Sequence, residues 1–122
     1  MSVKELAKKY NKFQNNFGSN NESDCKSIIE DLFSHEFKKV ANGQILISRK
    51  DEIENQLNGV KDFAGNWSIT EKLIIPSQDN KICTIRYLLE SEKAGIFDII
   101  AILTSSNGSK IDSIDEIYYQ LS

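Results

Sequence analysis

A carboxylic acid beside a tyrosine hydroxyl, both inside an apolar cavity, can move a proton. Desolvation raises the carboxyl pKa, and the phenol donates a hydrogen bond to a substrate oxygen. Asp98, Asp115 and Tyr87 are the residues of this chain that suit such work, since all three lie in segments where apolar and polar residues alternate as in half-buried strands. If residues 85 and 102 pair across one loop and residues 104 and 111 across the next, alternation assigns the faces. One face carries Cys83, Ile85, Tyr87, Leu89, Asp98, Ile100, Ile102, Ser113, Asp115, Ile117 and Tyr119. The other carries Arg86, Glu90, Phe97, Ile99, Ala101, Leu103, Asp112, Ile114, Glu116 and Tyr118. The first face reads as a pocket with acid and phenol groups. On the second, Arg86 and Glu116, with Glu71 from the preceding strand, read as a solvated or inter-subunit surface. A slip of one residue in a loop exchanges the partners. In the bland alternative, Asp98 and Asp115 are solvated at strand ends or bonded to loop amides, and Tyr87 only packs.

Other chemistries lack their parts. His35 is the single imidazole, and ten helical residues separate it from Cys25, about 15 Å of axial rise, so the two cannot form a thiolate and imidazole pair. Cys25 and Cys83 read as buried, inert thiols. One His, two distant Cys and no clustered carboxylates leave no recognisable metal site, and no pair of glycines brackets a strand-to-helix turn to hold a phosphate. No cofactor is expected.

The elements that must position these residues are legible from spacing. Val3, Leu6, Ala7, Tyr10, Phe13 and Phe17 form one stripe of a helix ending near Gly18, with Lys4, Lys8, Lys9 and Lys12 opposite. A basic amphipathic helix can lie on a membrane or in a partner's groove, but one helix of four turns in an acidic chain reads as packed on its own domain. Asn21 resembles the N-cap of a second helix over residues 22–34, with Cys25, Ile28, Ile29, Leu32 and Phe33 on one stripe. Asn42-Gly43 between two apolar runs marks a small hairpin over residues 37–47. Ser48 and Asp51 then open a third helix, faced by Ile53, Leu57 and Val60 and ending near Gly65. From Trp67 onward the period becomes two, and short polar breaks separate strands at 67–75, 82–90, 96–104 and 111–119, an antiparallel meander. Trp67 is placed to cap a pocket or to plug the end of the core. Residues 96–103 hold one polar side chain in eight, so both faces of that strand need cover, most simply from a second copy of the chain in a homodimer.

The 122 residues, 39% hydrophobic and 27% charged, describe one domain over 1–122 that can support a core without staples. A net charge of −3 with only Arg49 and Arg86 gives no basic surface for nucleic acid. No run approaches the roughly 20 apolar residues of a membrane span, and the first residues are charged where a signal peptide is apolar. A reducing cytoplasm is the expected location.

Helix, helix, hairpin, helix and a four-stranded meander, in that order, resemble the NTF2-like superfamily, including its SnoaL-like and ketosteroid-isomerase-like members. Local echoes are Phe37-Lys38-Lys39-Val40-Ala41-Asn42-Gly43-Gln44-Ile45-Leu46-Ile47-Ser48-Arg49 and Asn107-Gly108-Ser109-Lys110-Ile111. The resemblance implies an α+β, cone-shaped fold with three helices and a small hairpin on a curved sheet, an apolar pocket at the open end, and frequently a dimer. Phe13, Phe17, Phe33, Trp67, Tyr87, Asp98 and Asp115 would then line the pocket, and whether Phe13, Phe17, Phe33 and Phe63 fill the cone decides between scaffold and binding site. The chain departs from the ketosteroid-isomerase-like pattern: Lys39-Val40-Ala41 has no carboxylate base, and Ile100 or Ala101 stands where a neutral acid is expected. The SnoaL-like His and Asp pattern has only His35 to draw on. The expected function is binding of a small apolar or amphipathic molecule, with isomerase-, cyclase- or dehydratase-type acid–base chemistry from Asp98 or Asp115 with Tyr87. The alternative is a non-catalytic dimerisation or protein-interaction module.

Overall fold

The computed structural model describes every residue except Met1, Glu22 and Ser23. Helix α1 (Val3–Gly18) starts where the Ser2 hydroxyl accepts from the Glu5 amide, and its predicted stripe is its buried face. Helix α2 (Cys25–Leu32) is capped by Asp24, whose side chain accepts from Ser27 N, and not by Asn21; its expected start at Glu22 lies outside the described residues. The helix also stops two residues early. Phe33 turns to extended backbone and opens strand β1 (Phe33–Ala41), so Phe33 and His35 belong to a strand. Asn42 and Gly43, with φ of 49° and 82°, make the expected tight turn into β2 (Gln44–Ile47). A short 3-10 turn (Lys50–Glu52) leads into α3 (Ile53–Ala64), which ends at Gly65 with φ of 73°. The strands β3 (Trp67–Pro76), β4 (Ile82–Ser91), β5 (Gly95–Thr104) and β6 (Ile111–Gln120) complete the chain.

The hairpin is not a separate ribbon. β1 pairs in parallel with β6, so one six-stranded sheet runs β2-β1-β6-β5-β4-β3, in place of the expected four strands. That parallel ladder takes the backbone of residues 33–36 out of helix, since tertiary pairing outweighs a modest helix preference. Bulges near Lys72 in β3 and between Lys39 and Val40 in β1 bend the sheet around α1. The core between them is built on Leu6, Tyr10, Phe13, Phe33, Phe37, Ile85, Leu103 and Ile114.

The β4–β5 register corrects the face assignment. Ser91 pairs with Gly95 and Ile85 with Ala101, not with residue 102, because the loop has three residues and Gly95, at φ of 89°, occupies the left-handed position that ends such a turn. On the far side Thr104 pairs with Ser113, two residues from the expected partner, a shift that preserves the faces. The inner face therefore carries Tyr87, Ile99, Ala101, Leu103, Ile114 and Glu116 together. Arg86, Asp98, Ile100, Ile102, Asp115, Ile117 and Tyr119 stand on the outer face.

Candidate functional site

Between α3 and the inner face of the sheet lies a cavity of about 550 Å³. Its walls are Leu57 and Val60 from α3, Trp67 from β3, Leu89 from β4, and Phe97 and Ile99 from β5. Leu46, Tyr118 and Phe63, the last 72% exposed, stand at its edge. The end beneath it is closed by aromatic packing: Phe33 meets Tyr10 and Phe13 edge-on at 6.1 and 5.9 Å, and Phe37 at 4.7 Å. The cone is thus filled at one end and open at the other.

Five polar side chains form the floor. Alternation along β1 turns Lys39 inward while Lys38 faces out, and the parallel register with β6 brings it near Glu116. Lys39 Nζ is 3.3 Å from Glu116 Oε1 and donates to the Tyr10 hydroxyl at 3.1 Å. The Tyr87 hydroxyl donates to Glu116 Oε2 at 3.3 Å. The Gln14 side chain, from α1, faces the Tyr87 hydroxyl. Lys39 and Glu116 are only 6% and 5% exposed. A buried ion pair persists only when both charges keep their hydrogen bonds, and here each has the other and a tyrosine. Burial alone would lower the Lys39 pKa, but Glu116's charge and the Tyr10 hydroxyl hold it above the ordinary lysine value. Burial pushes Tyr10 and Tyr87 up, Tyr87 well above the usual phenol, with Glu116's charge adding to both. At neutral pH the floor holds an ammonium and two neutral phenols.

Neighbouring bonds fix the frame of this floor. Asn42 of the hairpin turn donates its amide N–H to Glu116 O at 2.9 Å, and its side chain bonds both Tyr118 O and Tyr118 N, at 3.1 and 2.9 Å, which holds β6 at Glu116. Trp67 Nε1 donates to Gln14 O at 3.0 Å, and its ring stacks on Phe17 at 6.1 Å. Gly18 is required beneath that ring, since a Cβ there would lie 2.4 Å from it. Lys61 Nζ donates to the Phe17 and Gly18 carbonyls and sits 5.2 Å over the Trp67 ring, so one cation joins α3, the end of α1 and β3.

Of the residues expected in the pocket, Trp67 and Tyr87 line it. Phe13 and Phe33 seal the end beneath the floor, and Phe17 packs behind Trp67. Asp98 and Asp115 are a correction: the β4–β5 register puts both across the sheet from the cavity. Asp98 takes a two-pronged bond from Arg86, Nε to Oδ1 at 3.0 Å and Nη2 to Oδ2 at 2.6 Å, with the Tyr119 hydroxyl at 3.3 Å. The bonded guanidinium, opposed by partial burial, holds its carboxyl below the usual range. Asp115 is exposed. Glu116, read from the sequence as a surface charge, supplies the inner carboxylate instead. Its signal was present in the alternation that placed it with Ile99, Ala101 and Leu103. Lys39, between Phe37 and Ala41 on a buried face, carried the same signal. His35 is exposed, and burial raises the Cys83 thiol pKa. Among the described residues no three His, Cys, Asp or Glu side chains come together as a metal site would need, and no helix is long and apolar enough to cross a membrane.

No protein-family model matches this chain, and no curated protein matches it in sequence. Solved structures match over nearly its full length. An NTF2-like protein of unknown function from Exiguobacterium sp. 255-15 is 18% identical, with TM-score 0.76, covering 93% of this chain and 98% of its own. A protein assigned as an isomerase of the SnoaL-like family, from Agrobacterium tumefaciens, is 10% identical with TM-score 0.73, covering 93% and 94%. A protein with a ketosteroid isomerase-like fold from Catenulispora acidiphila, solved with trimethylamine, is 16% identical with TM-score 0.66, covering 88% and 84%. Among the described residues, six strands in this order, three α-helices and a cavity between sheet and α3 give the chain the NTF2-like fold that the element order resembles.

Proposed function

We propose that this domain binds a small apolar or amphipathic molecule in the cavity, with the molecule's polar end against the floor. The observation that carries this reading is a satisfied ion pair, Lys39 with Glu116, at the base of an apolar cavity of about 550 Å³. Charges are seldom buried for stability alone, whereas a few convergent polar groups in an apolar cavity are what orients a small ligand. The chemistry that fits is acid–base, of the isomerase or cyclase type: Glu116 takes a proton, and the Lys39 ammonium stabilises the oxygen on which negative charge develops. Tyr87 holds Glu116 in place. Descriptions of the structural neighbours as an isomerase and as ketosteroid isomerase-like support the class.

The outer sheet face supports a homodimer as part of the same proposal. Ile100 and Ile117 pair there and are 46% and 67% exposed, with Leu73, Ile75 and Ile102 beside them. Native mass spectrometry tests both points on one sample. A two-chain ion carrying a small-molecule adduct is expected from the wild type. Gly59→Trp, whose side chain enters the cavity from α3 at a point where a Cβ meets nothing, is expected to keep the two-chain ion and lose the adduct. Wild-type protein that carries no adduct and acquires none on incubation with butyrophenone contradicts the binding reading. A single-chain ion contradicts the dimer.

A further inference from the structure

The two walls of the cavity differ in how they are held. The sheet wall is a continuous ladder, in which Leu89 of β4 pairs with Phe97 of β5. The wall opposite is α3, which supplies Gln56, Leu57, Gly59, Val60 and Phe63. Of its twelve residues only Ile53, Leu57 and Ala64 are buried, because its inner side looks onto the cavity and not onto packed core. Atoms that line a void lose the contacts a filled core would supply. Local composition weakens the same stretch. Asn55, Asn58 and Val60 are poorer helix formers than alanine, and Gly59 sits mid-helix, where glycine disfavours the helix about fivefold relative to alanine.

The ends of the helix, by contrast, are tied. Lys50, in the turn before α3, holds the Glu30 carboxylate of α2 at 2.9 Å. Lys61 Nζ donates to the Phe17 and Gly18 carbonyls at 2.5 and 3.0 Å, and the Ala64 carbonyl accepts from Lys93 N at 2.9 Å. Between these ties the side chains of residues 54–60 make no hydrogen bond or ion pair among the described residues. An element with few buried contacts and a weak middle opens locally while the rest of the fold stays intact. We propose, on the reading that the cavity holds a small molecule, that α3 is the door through which the molecule enters and leaves. The helix opens at Asn58-Gly59-Val60, carries Phe63 away from the mouth, and is drawn back by Lys61. Gly59 thereby sets the speed of exchange without touching the affinity.

Amide hydrogen exchange by NMR and stopped-flow fluorescence test this together, with butyrophenone as the probe and Trp67, the single tryptophan and a cavity wall, as the reporter. In the wild type without ligand, the amides of residues 57–63 should exchange through an opening that urea barely accelerates, while those of Ile85, Ala101 and Leu103 exchange only through global unfolding. Gly59→Ala, whose Cβ meets nothing within 4 Å, should slow α3 exchange about fivefold. It should slow butyrophenone association and dissociation by the same factor and leave Kd unchanged. Lys61→Met should raise α3 exchange and both rates about tenfold, the size of a lost charged hydrogen bond. Exchange of α3 with the same urea dependence as the sheet would overturn the door. So would α3 exchange unmoved by Gly59→Ala, butyrophenone rates unmoved by both variants, or a change in Kd in place of the two rates; each leaves the cavity reading intact. Wild-type Trp67 fluorescence and amide shifts unchanged by butyrophenone would instead overturn the cavity reading on which the door rests.

Discussion

Glu116→Leu is expected to destabilise the domain by about 3–5 kcal/mol, because it leaves the Lys39 ammonium buried with no counter-charge. For a domain whose whole stability is on the order of 5–15 kcal/mol, that is a large share. Lys39→Met should do the same by stranding the carboxylate. The double variant Lys39→Met/Glu116→Leu is expected to recover to within about 2 kcal/mol of wild type, since similar apolar volume fills the floor and neither charge remains to be desolvated. Recovery is incomplete because the Tyr10 and Tyr87 hydroxyls lose their partners. Urea unfolding of the four proteins gives the coupling directly. Additive costs in the double variant would mean that the two charges do not depend on each other. The same double variant should bind ligand poorly while remaining folded, which separates the role of the pair in the site from its role in the fold.

Trp67→Ala is the second large effect, about 3–5 kcal/mol. The indole ties three elements at once: its Nε1 bonds Gln14 O, its face rests on Gly18 and Phe17, and Lys61 lies above it. Truncation removes that packing and leaves α1 held to the start of β3 by the bond that Ile69 N donates to Asn15 Oδ1. Trp67→Phe should cost less, about 1–2 kcal/mol, because the stack on Phe17 is retained and one hydrogen bond is lost. Thermal and urea unfolding of the two variants give the comparison. A cost below about 1 kcal/mol for the alanine variant would mean that α1 is held to the sheet elsewhere.

Much of this architecture is written locally. The stripe from Val3 to Phe13 needs only helical periodicity, Asn42-Gly43 needs only the positive φ of its turn, and the four long strands are marked off by the short polar breaks between them. What stayed hidden depends on partners distant in the chain. Nothing near Phe33 announces that Ile111 will pair beside it, so residues 33–36 read as the end of a helix and the sheet as four strands. The faces were lost on a single residue: whether Gly95 belongs to the loop or to β5 decides whether Tyr87 shares its side with Asp98 or with Ile99 and Glu116. Alternation had grouped Glu116 with apolar neighbours, but a charged side chain is ordinarily assigned to solvent, and only the approach of Lys39 from β1 makes its burial tolerable. Gln14 carried no signal at all, since only the folded chain shows that this helical amide is buried facing the Tyr87 hydroxyl.

The central claim is that small-molecule binding belongs to the inner cavity and its Lys39–Glu116 floor. A heteronuclear NMR titration of uniformly 15N-labelled protein with butyrophenone tests it most directly. The account predicts that the Gln14 side-chain amide shifts with the backbone amides of Lys39, Val60, Phe97 and Glu116, while those of Asp98, Ile100 and Asp115 across the sheet stay in place. Shifts centred on Asp98 and Asp115, or a spectrum unchanged at saturating butyrophenone, would contradict it.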